Sequence, residues 1–295
     1  MLFHGAITAL VTPFKHNEFD EDSYRRLIDW QIDAGIHGLV PCGSTGESAT
    51  LSHKEHERVV EVCIEQVAKR VPVLAGSGSN NTAEAIALTK SARKAGADGA
   101  LLITPYYNKP TQEGLYKHYA AIASAVDDLP LILYNVPGRT SCNMLPPVLG
   151  RLARDFENII GVKEATGSLA QGSEVIETCP DNFIVLSGDD FTALPLMAIG
   201  GKGVISVTSN IIPDKVADMC NAFEHGDLKE AVRLHHKYYA LHKAMFIETN
   251  PVPVKTSLSF MKQMEKEVRL PLCDMEAGNV EKLRQILAEY KLIGK

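Results

Sequence analysis

The sequence LPLILYNVPGRTSCNMLPPVLGRLARDFENIIGVKEA, residues 129–165, contains two short apolar segments separated by a segment of helical character. The segments LPLILYN (129–135) and IIGVKEA (159–165) begin 30 residues apart. This distance accommodates a strand, a loop and a crossover helix, and near-continuous apolar strands are typical of a parallel sheet covered on both faces. The stretch therefore predicts one βαβ unit.

The same pattern recurs on both sides of this stretch. Six further apolar segments lie at 6–12, 37–43, 72–78, 98–104, 183–189 and 203–209. Helix starts are indicated by Ser52, with Glu55 three residues later, and by Asn81 before an amphipathic run. Eight βα units predict an α/β fold, a (β/α)8 TIM barrel, with an open doubly wound sheet as the alternative.

The strand pattern stops near residue 224. Leu228 to Ile247, Pro251 to Met264 and Ala277 to Leu292 instead carry apolar residues at helical spacing. We therefore predict a catalytic barrel over residues 1–224 and a C-terminal helical region over residues 225–295.

The composition narrows the class of protein. The chain has 295 residues, is 45% hydrophobic, and carries 30 Lys and Arg against 36 Asp and Glu, for a net charge of −6. These values exclude disordered and small disulfide-framework classes, and the absence of a basic run argues against nucleic-acid binding. No uncharged stretch is long enough to span a bilayer, the N-terminus lacks a signal-peptide pattern, and the six cysteines form no C-x-x-C pair. We expect a cytoplasmic enzyme or binding protein with reduced thiols and no membrane association.

Lys163 is the strongest candidate for catalysis. It directly follows Ile159 to Val162 in a strand that should be buried, where loss of hydration lowers the pKa of an amine and favours attack on a carbonyl. The alternative is a lysine whose stem lies on apolar surface while its ammonium reaches water or pairs with Glu164.

Other polar residues are predicted at the same end of the barrel. Tyr134 closes the adjacent strand and can move protons, or it is a core tyrosine. Ser44 and Thr45 lie in a glycine-bounded turn whose amides can bind a carboxylate, or they are part of an ordinary polar turn. Arg139 can bind a carboxylate in a bidentate manner, or it forms a surface ion pair.

Several residues receive less weight. Adjacent acidic residues in a loop are more often solvated, which is the expectation for Asp189 and Asp190. His53 and His56 are three apart on a helix, but no third ligand accompanies them, so no metal site is predicted. Neither a dinucleotide-binding nor a P-loop motif is complete, and no cofactor is predicted.

Taken together, these residues resemble the pyruvate-dependent class I aldolases, a family that includes N-acetylneuraminate lyase. The matching motifs run in order through nearly the whole chain: Gly43–Ser48, Thr104–Asn108, Leu133–Thr140, Gly161–Gly167, Ser187–Asp190 and Asn250–Lys255. The match is closest to the family's lysine-biosynthetic synthases. That resemblance implies condensation of pyruvate with L-aspartate-4-semialdehyde, the first committed step of the diaminopimelate route to lysine.

The resemblance also implies roles for individual residues. Lys163 would form an imine with pyruvate, and Tyr134 would shuttle protons in a relay with Ser44 and with Tyr107 of a neighbouring subunit. Substrates would be held by three residues, namely Thr45, Arg139 and the backbone of Ile205. Ser44 departs from the family pattern, because the synthases usually have threonine there. The implied assembly is a homotetramer, a dimer of dimers.

A regulatory site is implied in the same way. In lysine-inhibited synthases an allosteric pocket at the dimer interface resembles a set of seven residues, and inhibition by L-lysine is therefore expected. The set is Ser48, Ala49, His53, His56, Asn80, Glu84 and Tyr106.

Two other functions remain open. One is an aldolase acting on N-acetylneuraminate or a 2-keto-3-deoxy sugar acid, against which Arg139 argues because a neutral polyol would leave this cation unpaired. The other is a non-catalytic barrel that senses pyruvate or lysine, which would have no need of Lys163, Tyr134 and Tyr107 together.

Overall fold

The computed structural model describes residues 2–294, and its centre is a sheet of eight parallel strands. The strands are β1 (Gly5–Ala9), β4 (Gly38–Val40), β5 (Leu74–Gly76), β6 (Gly99–Ile103), β7 (Leu131–Asn135), β8 (Ile159–Glu164), β9 (Ile184–Ser187) and β10 (Gly203–Ser206). An antiparallel pair, β2 (Phe14–Lys15) and β3 (Glu18–Phe19), follows β1 and was not predicted. The eight segments predicted from apolar patterning are all confirmed as strands.

The sheet closes on itself. Its order is β4-β1-β10-β9-β8-β7-β6-β5, and a parallel bridge between Leu39 and Val73 joins the first strand to the last. Backbone hydrogen bonds from Leu39 N to Pro72 O (3.0 Å) and from Gly76 N to Pro41 O (2.9 Å) complete the seam. The TIM barrel is therefore confirmed, and the open sheet is wrong.

Helices surround the barrel and continue beyond it. They are α1 (Glu21–Asp33), α2 (His53–Val67), α3 (Thr82–Ala95), α4 (Gln112–Ala125), α5 (Pro137–Thr140), α6 (Pro146–Asp155), α7 (Leu169–Thr178), α8 (Ala193–Ala198), α9 (Pro213–Glu224), α10 (Leu228–Ala244), α11 (Val252–Phe260) and α12 (Ala277–Glu289). The two predicted helix starts are confirmed. Ser52 and Glu55 form a capping box, and the Asn81 side chain accepts from Ala83 N.

Buried apolar side chains fill the barrel interior and the space under the helices. The interior cluster includes Ile7, Val40, Leu101, Ile132 and Leu186. A second cluster joins β1 and α2 to the C-terminal helices, through residues as late as Leu283 and Leu287. Because the barrel and the C-terminal helices share this cluster, the boundary at residue 224 stays a prediction. Across residues 2–294, no helix has both the length and the apolar character needed to cross a bilayer.

Candidate active site

Lys163 projects into the barrel from the penultimate position of β8. It pairs in register with Tyr134 on β7 and with Leu186 on β9, so the three residues share one level of the sheet. Side chains alternate along a strand, and Glu164 therefore faces the opposite way. There its carboxylate accepts from Thr166 N (2.7 Å) and Asn135 Nδ2 (3.2 Å). Glu164 is thus not the partner of Lys163, and the alternative of an ammonium exposed to water is wrong, because Lys163 is 6% exposed.

Burial and neighbouring charges set the protonation of the site. Burial lowers the pKa of Lys163 to about 8, the Asp189 carboxylate opposes this effect, and the Arg139 guanidinium adds to it. Burial also raises the pKa of Tyr134 to about 12, against the influence of Arg139 and of contact with the Ser44 hydroxyl. The Lys163 Nζ atom lies 4.1 Å from the centroid of the Tyr134 ring. A fraction of neutral amine therefore coexists near neutral pH with a protonated phenol beside it.

A cavity of about 50 Å³ opens in front of Lys163. Its walls include Ser44, Thr45, Tyr134, Arg139 and Asp189. Four of the residues predicted to act together with Lys163 therefore line one cavity with it, at the carboxyl ends of the strands, where TIM-barrel sites form.

The turn that carries Ser44 and Thr45 is held close to the barrel. A Cβ atom on Gly76 would lie 2.3 Å from the Cys42 carbonyl oxygen, so only glycine permits this approach of β5 to the turn. Cys42, which precedes the turn, has a left-handed backbone with φ of +54°. The two hydroxyls are therefore placed by backbone constraints on both sides.

Asn250 links the turn to Arg139. Its Nδ2 atom donates to Thr45 Oγ1 (3.0 Å), and its carbonyl accepts from Arg139 Nη2 (3.3 Å). With its oxygen occupied as an acceptor, the Thr45 hydroxyl is free to donate its proton to a carboxylate. Asn250 belongs to the quoted motif at 250–255, but its distance from Thr45 along the chain concealed this contact.

The expectation that Asp189 and Asp190 are solvated is wrong. Asp190 is buried, and it accepts from Val207 N (3.0 Å) and Thr208 N (3.0 Å), which anchors the chain after β10. Asp189 lines the cavity, and burial raises the pKa of its carboxyl to about 6, while nearby Lys163 lowers it. Their position after β9, at the same end as the other site residues, was the available signal.

Ile205 and Tyr107 lie outside the group that lines the small cavity. Ile205 is buried in β10 with its side chain in the interior cluster, and its backbone contact with a substrate stays a prediction. Tyr107 has a left-handed backbone with φ of +73° and is 90% exposed in this single chain. Its proposed role requires a second subunit.

Six of the seven residues predicted to bind lysine line a second, larger cavity of about 580 Å³. They are Ser48, Ala49, His53, His56, Glu84 and Tyr106. The seventh, Asn80, donates from Nδ2 to the Tyr106 carbonyl (3.0 Å).

Two acidic residues line this second cavity, Glu47 and Glu84, and only Glu84 belongs to the predicted lysine-binding set. Glu84 contacts His53 Nε2 (2.8 Å) and accepts from the Ser79 hydroxyl, and these contacts hold its pKa below the usual range. Ser44, Arg139 and Asn250 line both cavities, so the two share a wall. Within residues 2–294, no cluster of three or more His, Cys, Asp or Glu side chains is arranged to hold a metal ion.

Comparisons with known proteins agree on one family. The model of the dihydrodipicolinate synthetase family matches residues 2–290. A 4-hydroxy-tetrahydrodipicolinate synthase of Nitratidesulfovibrio vulgaris (strain DP4) is 61% identical, with 98% of each chain covered.

Two solved structures extend this likeness to ligand-bound proteins. The chloride-inhibited dihydrodipicolinate synthase of Acinetobacter baumannii, complexed with pyruvate, is 46% identical over 98% of this chain and 99% of its own, with a TM-score of 0.95. A synthase of this name from Cyanidioschyzon merolae with lysine bound is 40% identical over 99% of each chain, with a TM-score of 0.96. The resemblance read from the motifs is confirmed, and the chain belongs to the dihydrodipicolinate synthetase family.

Proposed function

We propose that this chain is a lyase that condenses pyruvate with L-aspartate-4-semialdehyde to give 4-hydroxy-tetrahydrodipicolinate. This reaction begins the diaminopimelate route to lysine. The observation that carries the proposal is the buried Lys163 amine, which faces a cavity beside the Tyr134 phenol and has a pKa of about 8. The names of the full-length relatives support the choice of reaction.

The reaction begins with attack of the neutral Lys163 amine on the C2 carbonyl of pyruvate. Loss of water gives an imine, and loss of a C3 proton gives an enamine. The enamine carbon attacks the aldehyde of the semialdehyde, whose oxygen takes a proton. The amino group of the second substrate then attacks the former C2 carbon, closes the ring and releases Lys163 as the free amine.

The surrounding residues have separate tasks in this proposal. Tyr134 moves protons at the imine and aldehyde stages, in relay with Ser44 and with Tyr107 from a neighbouring subunit. Thr45 donates to the pyruvate carboxylate, and the Ile205 backbone contacts the same substrate. Arg139 binds the carboxylate of the semialdehyde, for which its guanidinium fork is suited.

Pyruvate consumption on addition of aspartate-4-semialdehyde tests the proposal directly. We expect consumption by the wild type, and reduction with borohydride in the presence of pyruvate should attach a three-carbon adduct to Lys163. An adduct without consumption would indicate an aldolase for a different aldehyde, such as a sugar-acid lyase. Absence of both would favour the sensor.

We also propose that L-lysine inhibits the enzyme through the larger cavity. Glu84 offers a carboxylate to the ligand ammonium, and Tyr106 would meet its carboxylate. Lysine should lower the initial rate at low pyruvate, and Glu84→Gln should weaken this inhibition while the rate without lysine stays near that of the wild type. Equal inhibition of both proteins would exclude this site.

The proposed assembly is a homotetramer, a dimer of dimers, in the cytoplasm. Tyr107, 90% exposed, is available for insertion into a neighbouring subunit. The five buried cysteine thiols support a reducing compartment. Sedimentation velocity of the wild type and of Tyr107→Ala measures both the assembly and the contribution of this side chain.

A further inference from the structure

A buried ion pair lies behind the turn that carries Ser44 and Thr45. Lys255 on α11 is 0% exposed, and its Nζ atom donates to Glu47 Oε1 at 2.6 Å. Glu47 is also buried, and it is the residue before the last in the motif Gly43–Ser48. Since removal of two charges from water is costly, such a pair calls for an explanation beyond stability.

The contacts of this pair converge on the turn from three directions. Lys255 Nζ donates a second time to the Thr12 carbonyl (2.9 Å), and the Thr12 hydroxyl donates to the Gly46 carbonyl (2.7 Å). The other oxygen of Glu47 accepts from Arg269 N (3.0 Å). The loop after β1, the turn, and the segment after α11 are therefore joined at one carboxylate and one ammonium.

The backbone makes the position of Glu47 sensitive to its side chain. Glu47 has a left-handed conformation with φ of +53°, which residues with a Cβ atom adopt only when their surroundings impose it. Its amide donates to the Ser44 carbonyl (3.2 Å), and Gly46 N donates to the Gly43 carbonyl (3.0 Å). Displacement of Glu47 thus moves the peptide that joins Ser44 to Thr45.

We infer that the Lys255–Glu47 pair is a positioning device that fixes the Ser44 and Thr45 hydroxyls relative to Lys163. Neither charged group lines the small cavity, so the pair acts through the turn and not by contact with substrate. Lys163 is on β8, outside this network. The inference rests on the proposed function for its kinetic readout, and it has a structural readout that is independent of activity.

The test compares Lys255→Met, Glu47→Gln and the double variant, in the full-length protein. Lys255→Met leaves the Glu47 carboxylate buried without its counter-ion, and we expect the turn to move as a result. We expect a rise in KM for pyruvate and a fall in kcat of about 10- to 100-fold, because a displacement of about 1 Å costs on the order of 10²-fold in rate. Lys163 should still be trapped by borohydride at saturating pyruvate.

The double variant separates positioning from stability. With neither charge present, the desolvation penalty disappears and thermal stability should recover. The hydrogen bond from Lys255 to the Thr12 carbonyl and the Lys255–Glu47 ion pair are still missing. We therefore expect kcat to stay at least 10-fold below that of the wild type.

Val67→Ala is the matched control for a general loss of packing. Val67 is buried at the far end of α2, about 20 Å along the helix from Ser52. This variant should lose stability with an unchanged kcat.

Two results would overturn the inference. One is a double variant with both stability and kcat restored, which would mean that each charge only neutralises the other and that the pair does not position the turn. The other is a crystal structure of Lys255→Met in which Ser44 and Thr45 stay within about 0.5 Å of their wild-type positions. The crystal structure decides the matter even if the wild type proves inactive with both substrates, a result that would reject only the proposed function.

Discussion

Two lysines are buried among residues 2–294, and burial brings the pKa of each to about 8, yet their surroundings differ. Lys163 Nζ lies 4.1 Å from the Tyr134 ring centroid, and Lys255 Nζ lies 4.3 Å from that of Phe14. Lys255 Nζ donates to a carboxylate and to a carbonyl, whereas no hydrogen bond or ion pair engages Lys163 Nζ within residues 2–294. A lowered pKa therefore does not by itself mark a nucleophile; an unengaged amine facing a cavity does.

The largest effect should come from removing the unengaged amine. Lys163→Ala should abolish the borohydride-trapped pyruvate adduct, while Lys255→Met retains it, because only Lys163 faces the cavity. Intact mass after reduction measures the adduct directly. A trapped adduct in Lys163→Ala would mean that another lysine is the nucleophile. Circular dichroism of both variants controls for folding.

The aromatic ring beside each lysine provides a second contrast. Tyr134→Phe removes the phenolic hydroxyl and keeps the ring, so that Lys163, like Lys255, lies beside a phenylalanine ring. We expect turnover to fall by about 10²- to 10⁴-fold, as for other general acid–base groups. Steady-state kinetics measure the loss, and turnover near the wild-type value would exclude Tyr134 as the proton shuttle.

Replacement of the two lysines by methionine should change the free energy of unfolding in opposite directions. Lys255→Met leaves Glu47 buried without its counter-ion and should lower the free energy of unfolding by about 3–5 kcal/mol. Lys163→Met removes a desolvated amine that has no such partner and should raise it by about 1–2 kcal/mol.

Urea denaturation of the two methionine variants, with Val67→Ala alongside, tests this difference. Destabilisation by both methionine variants to a similar extent would mean that Lys163 has structural contacts comparable with those of Lys255.

The pH dependence of imine formation should respond to the charges around Lys163. The rate at limiting pyruvate should rise with pH, pass its midpoint at about 8 and level off at higher pH, where the amine is largely neutral. Asp189 raises the pKa of Lys163 and Arg139 lowers it, so Asp189→Asn should shift the midpoint down and Arg139→Gln should shift it up. Trapping rates across a pH series measure both shifts, and movement in the same direction would contradict the electrostatic assignment.

The smallest effect is expected at Ser44. Ser44→Thr introduces the threonine that the resemblance leads us to expect and adds a methyl group that restricts the hydroxyl rotamer. We expect turnover to rise by a few-fold at most, measured beside the wild type under identical conditions. A large loss would mean that the turn is packed too tightly for the methyl group.

The sequence predicted the barrel well because its signals are local. Each strand is an apolar run, and capping residues such as Ser52 mark where a helix begins. The parallel order then brings the ends of β7 and β8 together, so Tyr134 and Lys163 were predicted as neighbours from the pattern alone.

Contacts between distant residues could not be predicted in this way. Asn250 is 205 residues from Thr45, and Lys255 is 208 residues from Glu47. Periodicity shows which face of a helix is buried, but it does not identify the partner on the other side. The burial of Asp190 was missed for the same reason, since its donors lie beyond the next strand.

The wall shared by the two cavities has a thermodynamic consequence. Because Ser44, Arg139 and Asn250 face both spaces, an occupant of the larger cavity that shifts this wall changes affinity in the smaller one. Coupling between two equilibrium binding events is reciprocal. If lysine weakens pyruvate binding by some factor, pyruvate weakens lysine binding by that same factor, and a rising substrate concentration itself releases the inhibitor.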